Sequence, residues 1–212
     1  MGIAERKQRE KERRIREILE SARDLFLSKG CDNTTMLDIA EKSELSRRTL
    51  YHYFESKEEI SYIIMLEAYK TLKEMVGQAE NLSTMNGIER LNAYQEIFFN
   101  FYHDHFDQFA FTLFLDQKIG FIERPNEEAR KCLSIMDNVI SVIKNTLDMG
   151  VEDGSIIYIS NTKEAAVTML TMILSTMQKI YIRKDWIKES FDVDDDQIIR
   201  TMFSMFMSAI RP

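Results

Sequence analysis

The chain has 212 residues, 44% of them hydrophobic, which is enough apolar surface to bury a sizeable core in one large domain or two small ones. Its net charge of -7 excludes a uniformly basic protein, and its two isolated cysteines, Cys31 and Cys132, form no CxxC pattern that would indicate a disulfide framework or a cysteine zinc site. No run of about 18 uncharged apolar residues occurs, so we expect no membrane span and a cytoplasmic protein.

The first helix is predicted by apolar residues that recur at three- and four-residue steps between Ile15 and Phe26. Gly30 is expected to end it, because glycine adopts a left-handed conformation without a Cβ clash. Thr34-Thr35 with Asp38 close behind resembles a capping box, which predicts that a short second helix begins here.

Positive charge is concentrated at the start of this first helix. Between residues 6 and 16, seven bases outnumber the two acids. The bases are Arg6, Lys7, Arg9, Lys11, Arg13, Arg14 and Arg16. Phosphates respond to charge within a Debye length of about 8–10 Å, so an acidic chain can still carry a basic DNA-binding end. This arm either contacts DNA, as homeodomain arms do in the minor groove, or is a solvated extension of the helix.

Two further caps follow. Ser46 can cap a short third helix from Arg47 to about Tyr53, and Ser56 with Glu59 opens a long fourth helix. Behind a polar break at residues 81–87, five more amphipathic segments are predicted to be helices. They span about residues 88–106, 108–118, 126–149, 162–184 and 195–210.

Strand-like alternation is confined to residues 156–159, which we interpret as an extended linker. The sequence therefore predicts an all-α fold of about nine helices. Residues 1–58 are expected to form an N-terminal three-helix domain with the basic arm, and residues 59–212 a second helical domain.

Residues 34–57 carry the helix-turn-helix pattern, in which two helices of about seven residues are joined by a short turn. The apolar residues that should hold the pair together are Leu37, Ile39, Ala40, Leu45 and Leu50. The other face of the second helix is then exposed and rich in hydrogen-bond donors, on an element that fits the major groove, about 12 Å wide. The candidates for DNA contact on this face are Arg47, Arg48, Thr49, His52 and Tyr53.

Phosphate contacts are expected beside this face. Thr35, Tyr51 and Lys57 stand at or near helix starts, where free N–H groups and the helix dipole favour an anion. A DNA-binding role for the pair of helices is thus the leading interpretation of this segment.

Over about residues 12–62 the sequence resembles the TetR (tetracycline repressor) family. The matching residues are Ala22, Leu25-Phe26, Gly30, Thr34-Thr35, Ile39-Ala40, Leu45-Ser46, Thr49-Leu50-Tyr51, Tyr53-Phe54 and Lys57. The resemblance implies an all-helical, two-fold dimer that represses from a palindromic operator and is released when a small molecule binds the C-terminal domain. It also implies DNA contacts from Thr35, Ser46, Thr49, Tyr51, Tyr53 and Lys57.

The sequence departs from that family at two positions. Glu44 replaces a turn residue that often has a positive φ, which costs a non-glycine residue about 1 kcal/mol. Arg48 stands where the family often has a small residue, so the resemblance does not indicate which bases this chain prefers.

The C-terminal domain is expected to hold the effector. Residues 94–114 are unusually aromatic, and many rings together can line a large apolar pocket, although ordinary core packing is the alternative for most of them. The pocket candidates are Phe98, Tyr102, Phe109, Phe114, Met136, Met172 and Tyr181. The effector is accordingly expected to be lipophilic.

The dimer interface implied by the family lies on the last two long helices, here about residues 162–184 and 195–210. The apolar residues expected in it are Met169, Leu170, Ile173, Met177, Phe203, Phe206 and Met207.

Other functions have less support. His103 and His105 point about 200° apart on a helix, which disfavours a metal site, and no cofactor or enzyme motif is present in a recognisable frame. We therefore expect no enzymatic activity, and the competing hypothesis is a helical protein-interaction module that does not bind DNA.

Overall fold

The computed structural model describes residues 2–80, 84–118, 127–183 and 185–212, apart from the side chains of residues 3, 79–80 and 114–118. In these ranges the chain forms ten helices and no strand. They are α1 (Ile3–Lys29), α2 (Met36–Lys42), α3 (Arg47–Tyr53), α4 (Lys57–Glu80), α5 (Gly87–Asp104), α6 (Phe106–Lys118), α7 (Glu127–Asp153), α8 (Thr162–Arg183), α9 (Trp186–Phe191) and α10 (Asp195–Ile210). The predicted all-α class is confirmed.

Helix starts follow the capping residues. Thr35 caps α2 in a complete capping box with Asp38, and Ser46 accepts a hydrogen bond from the backbone N–H of Thr49 at the start of α3. Ser56 likewise accepts from the Glu59 N–H, but the Glu59 carboxylate binds the N–H of Glu55 rather than that of Ser56, so only half of the predicted box forms.

Gly30 ends α1 as predicted, but in a different conformation. Its φ of 84° is positive, while its ψ of 152° lies outside the left-handed helical region. This combination is almost restricted to glycine, and it lets the Gly30 N–H donate to the Phe26 carbonyl at 3.0 Å. The chain can then turn sharply into α2.

One helix was missed by the sequence analysis. The six-residue α9 lies between the two last long helices and ends at Asp192, whose φ of 54° is left-handed. Six residues are too few for a clear apolar period, and α9 buries none of its side chains.

The chain divides into two compact units, Met1–Ala68 with Ala110–Cys132, and Tyr69–Phe109 with Leu133–Pro212. In the first unit α1 packs on α2 and α2 on α3, around Ile18, Ala22, Phe26, Ile39 and Leu50. The boundary expected near residue 58 stays a prediction, since the long α4 continues from the first unit into the second.

In the second unit α10 packs against α8 and α5 around a core that includes Tyr94, Phe98 and Phe101. At the start of α5, Gly87 lies so close to α7 that a Cβ there would be 2.2 Å from the Cα of Gly150. Glycine is thus required at position 87, where α5 touches the backbone of α7.

By length and composition alone, α8 is apolar enough to cross a membrane, with a mean hydropathy of 1.3 over its most apolar window. Lys179 interrupts its apolar run, so this helix contains no stretch of about 18 uncharged residues. A single such helix is weak evidence for a membrane span, because core helices of water-soluble proteins pass the same test, and one side of α8 is packed against α10 here.

Candidate nucleic-acid interface

The position of α3 is set by buried contacts with α2. Ile39, Ala40 and Leu50 are fully or almost fully buried between them. In the turn, the Ser43 hydroxyl donates to the Ile39 carbonyl at 2.6 Å and the Leu45 N–H donates to the Ala40 carbonyl at 2.8 Å. These bonds satisfy the end of α2 and fix the direction in which α3 leaves it.

Glu44 has a φ of 56° in this turn, as predicted from its position. Leu37 does not face inward as expected, since half of its surface is exposed, and the preceding Met36 is buried instead. Both residues are apolar, so the sequence pattern did not distinguish which of them faces the core.

The outer face of α3 is open. Arg47, Arg48, Thr49 and His52 are exposed, and Tyr53 is half-buried. Thr49 is also held at the start of the helix, because its hydroxyl lies 2.8 Å from the Ser46 hydroxyl. The structure thus brings the predicted base-contacting residues together on one accessible surface.

Tyr51 lies in the middle of α3, not near its start, and 43% of its surface is exposed. The Arg47 guanidinium lies over its ring, 5.6 Å from the centroid, a cation–π arrangement that orients both side chains. Tyr51 therefore extends the exposed surface of α3 sideways.

Thr35 is exposed at the start of α2, and its hydroxyl donates to the Asp38 carboxylate at 2.7 Å. Asp38 is also bound by Lys29 at 2.8 Å. The hydrogen bonds from Lys29 and then Thr35 lower the pKa of Asp38 from 3.8 to about 2. A charged carboxylate therefore fixes the start of α2. The Thr35 hydroxyl is exposed, but its hydrogen atom is already donated to Asp38 and is not free for an anion.

Lys57 makes contacts within the chain that were not predicted, and its phosphate contact stays a prediction. Its ammonium donates to the carbonyls of Cys31, Asp32 and Thr34 at 2.8, 3.0 and 2.9 Å. An ammonium has three N–H donors, and all are used here. Lys57 therefore closes the loop between α1 and α2, and it positions Thr35 without offering a donor of its own.

The basic arm is helical. α1 begins at Ile3, and every residue from Ala4 to Arg13 is exposed. A groove of about 490 Å³ between α1 and the α2–α3 turn is lined by Arg13, Arg14, Glu17 and other polar residues. A second groove of about 470 Å³ lies between the arm and α3, lined by Lys7, Glu10, Lys11, Arg14, Leu45, Thr49, His52 and Tyr53.

Among the proposed effector residues, Tyr102, Phe109 and Tyr181 form one aromatic cluster. The Tyr102 and Phe109 centroids are 5.1 Å apart, and those of Phe109 and Tyr181 are 6.4 Å apart. Phe106, which was not among the candidates, lies 5.3 Å from Tyr181 and completes the cluster. Tyr102 and Phe109 are buried, so these rings fill the space between them.

The other effector candidates lie elsewhere. Phe98 is buried in the core, Met136 is half-buried on α7, and Met172 is 44% exposed on α8. The side chain of Phe114 lies outside the described residues. The structure therefore brings three of the seven candidates together, and their contact with an effector stays a prediction.

A charged cleft of about 490 Å³ is lined by His103, Asp185, Lys188, Asp194, Asp195, Asp196 and Gln197. Tyr102 reaches it, because its hydroxyl donates to the Asp195 carboxylate at 3.4 Å. Burial, followed by the nearby Asp195 charge, raises the pKa of Tyr102 above its ordinary value, and burial also raises that of Asp195. His103 binds Asp196 at 2.8 Å, and the described residues contain no group of three side chains suited to a metal ion.

Most of the predicted dimer residues are buried within the single chain. Six of the seven are buried and Phe206 is half-buried. The buried six are Met169, Leu170, Ile173, Met177, Phe203 and Met207. They therefore cannot supply the main surface of an interface. The large apolar residues left exposed on α8 and α10 are Val167, Met172, Ile182 and Met205, the last with 70% of its surface accessible.

Comparison with known proteins matches this architecture. The family described as bacterial regulatory proteins, tetR family, matches residues 18–61. The transcriptional regulator TcmR of Streptomyces glaucescens is 37% identical over 94 residues, which is 42% of this chain and 40% of that protein. The chain thus aligns with about two fifths of the length of this relative.

Solved structures extend the likeness. PfmR, a TetR family transcriptional regulator from Thermus thermophilus, is 26% identical with a TM-score of 0.68, over 90% of this chain and 97% of that one. AibR, solved with isovaleryl coenzyme A and operator DNA, is 20% identical with a TM-score of 0.71, over 91% and 97% of the two chains. The helix-turn-helix segment therefore matches the tetR family of bacterial regulatory proteins over residues 18–61, and the chain shares the fold of these solved regulators over about 90% of its length.

Proposed function

We propose that the chain is a transcriptional regulator that binds a palindromic operator as a homodimer and releases it when a lipophilic small molecule binds the C-terminal unit. The observation that carries this proposal is the exposed, donor-rich face of α3, held rigidly on α2 by a buried apolar contact. An enzyme or a structural protein has no need of such a face.

In this function α3 enters the major groove. Arg47 and Arg48 each carry a guanidinium that can bind guanine O6 and N7 in a bidentate way, and the Thr49 methyl group can contact a thymine methyl. Ser46, Thr35 and Tyr51 lie around the edge of the same surface, where they would contact phosphates. Lys57 would act through the loop that it closes.

We place the dimer interface on the outward faces of α8 and α10. Val167, Thr171 and Ser175 recur every four residues on α8, Met172 lies three residues before Ser175 on the same face, and all four are exposed. Small residues beside methionines allow two helices to approach closely, and Met205 on α10 offers the largest apolar contact. A second copy that covers this stripe would shield apolar surface from water.

The effector site is proposed at the aromatic cluster of Tyr102, Phe106, Phe109 and Tyr181. Because the rings fill their own space, binding would require them to move apart, and such a movement could be transmitted along α6. The Tyr102 hydroxyl at the charged cleft would meet a polar end of the molecule. AibR, which has the same fold, binds an acyl-coenzyme A, and this is consistent with an effector that has an apolar portion.

The test is selection of the chain against random duplex DNA, followed by titration of the winning sequence at several salt concentrations. We expect an inverted repeat, bound with an affinity that falls steeply as salt rises. Absence of enrichment, with weak binding to every duplex, would contradict the proposal and favour the protein-interaction module.

A further inference from the structure

The arm of α1 projects from its unit as a free helix. The ten residues from Ala4 to Arg13 are all exposed, and the first fully buried residue of α1 is Ile18. At 1.5 Å per residue, the exposed part is about 15 Å long. A helix without packing contacts contributes little to the stability of the unit, so the basic residues of the arm are not explained by folding.

The two faces of this arm differ in what they meet. Lys7, Lys11 and Arg14 are spaced by four and three residues, which places them on one side of the helix, and this side lines the groove that faces α3. Arg6, Arg9 and Arg13 are spaced by three and four residues on another side, about 130° round the helix, and line no part of that groove. The arm therefore offers two basic faces of equal charge, of which one is next to the DNA-reading helix.

Positive charge in the groove is only partly compensated. Within the described part of the chain, Lys7 and Lys11 form no ion pair, while Arg14 binds Glu17 at 2.7 Å. Glu10 also lines the groove and opposes the three bases. The opposite wall carries Thr49, His52 and Tyr53, whose hydroxyl and ring N–H groups are donors to an anion.

The arm cannot enter the minor groove in this form. An α-helix with its side chains is about 10–12 Å across, whereas the minor groove of B-DNA is about 6 Å wide. When α3 lies in the major groove, the segment beside it is the sugar–phosphate backbone that borders that groove. A helical arm alongside α3 is therefore opposite a strand backbone.

We propose that one DNA strand passes through the groove between the α1 arm and α3, with Lys7, Lys11 and Arg14 binding its phosphates from one side and His52 and Tyr53 from the other. This inference rests on the proposed DNA-binding function and assigns a second wall to the binding site. The arm and α3 then act as a clamp around the backbone. His52 and Tyr53 face a phosphate strand, and base reading falls to Arg47, Arg48 and Thr49.

The test compares two triple variants with equal loss of charge. One carries Lys7→Gln, Lys11→Gln and Arg14→Gln, and the matched control carries Arg6→Gln, Arg9→Gln and Arg13→Gln. Glutamine keeps the helix propensity close to that of lysine and arginine. Binding of the full-length protein to a mixed-sequence duplex of about 30 base pairs, three turns of B-DNA, is measured by fluorescence anisotropy across a salt series.

Each lost phosphate contact reduces the slope of log K against log salt by about 0.9, so the groove variant is expected to lose up to about 2.7 per subunit. The control should lose far less, and the selected base sequence should stay the same for both variants. Glu10→Gln, which removes the opposing charge without touching a phosphate ligand, should tighten binding at low salt.

Equal losses in the two triple variants would overturn the clamp, since they would mean that the arm acts only as diffuse charge. An unchanged slope in the groove variant would overturn it too. If the groove variant loses helical circular dichroism, the Glu10→Gln variant decides instead. An unchanged DNA affinity of Glu10→Gln then overturns the proposal, and a tighter affinity supports it. Failure of the unmodified protein to bind any duplex would refute the proposed function itself, which is a distinct result.

Discussion

The close approach of α5 and α7 predicts a large and specific cost for adding one methyl group. In the variant Gly87→Ala, the new Cβ would lie 2.2 Å from the Gly150 Cα, 2.5 Å from its N and 3.0 Å from the Thr146 carbonyl oxygen. Ordinary carbon–carbon contacts are about 3.5–4.0 Å, and the opposing atoms are backbone, which cannot rotate away. The start of α5 would therefore have to move by more than about 1 Å.

That movement also breaks hydrogen bonds. The Gly87 N–H donates to the Asp153 carboxylate at 2.9 Å, and the Ile88 N–H donates to the Ser155 hydroxyl at 3.1 Å. Overpacking costs about 1–3 kcal/mol, and the loss of a helix-terminal bond adds about 1 kcal/mol. The higher helix propensity of alanine offsets up to about 1 kcal/mol of this lost stability. We expect a net destabilisation of about 2–3 kcal/mol.

The assay is urea unfolding followed by circular dichroism at one fixed protein concentration. Gly77→Ala is the matched control, because a Cβ at this helical position meets nothing within 4 Å and should stabilise the protein by about 0.5–1 kcal/mol. Gly150→Ala is an intermediate case, since its Cβ would meet the flexible Ile156 side chain at 2.3 Å. A Gly87→Ala variant as stable as the Gly77→Ala variant would refute the close packing of α5 on α7.

Three further outcomes are expected. Because the pKa of Asp38 is depressed, its contribution to stability is present above about pH 4 and is lost as the pH falls towards 2. Asp38→Asn should therefore flatten that part of the stability–pH curve, and an unchanged curve would show that the carboxylate does not stabilise the cap. Arg47→Ala should weaken discrimination at one base position by about 1–3 kcal/mol, and an unchanged selected sequence would exclude a base contact. Met205→Glu should shift sedimentation from dimer to monomer with an intact fold, whereas a variant that stays dimeric would place the interface elsewhere.

Several features were readable from the sequence because short-range chemistry decides them. The threonine and serine caps satisfy N–H groups two or three residues away, so Thr35 and Ser46 mark the starts of α2 and α3 whatever surrounds them. The positive φ at Glu44 was expected from the turn of the resembling family, whose residue at this position often has a positive φ. The family resemblance rests on the same local pattern, and the matched family covers this segment.

Other features depended on partners that are distant in the chain. Lys57 was expected to bind phosphate, but its ammonium finds three carbonyls 23 to 26 residues earlier in the sequence. Met36 and Leu37 are both apolar, and the rotation of α2 against α1 decides that Met36 is buried. Neither contact leaves a signal in the periodicity of a single helix.

The sequence by itself determined that this chain is helical throughout its described parts, where most helices begin, and which face of α3 carries the donors, because capping and amphipathic spacing act over three or four residues. Tertiary structure alone decided which apolar side of α8 is packed on α10 and which side is exposed. A helix that is apolar on several sides could bury any of these sides, and its sequence pattern does not say which. Only the packing of the neighbouring helices decides which side is buried. The groove between the arm and α3 is likewise a tertiary feature, since the residues that line it come from two helices separate in the sequence.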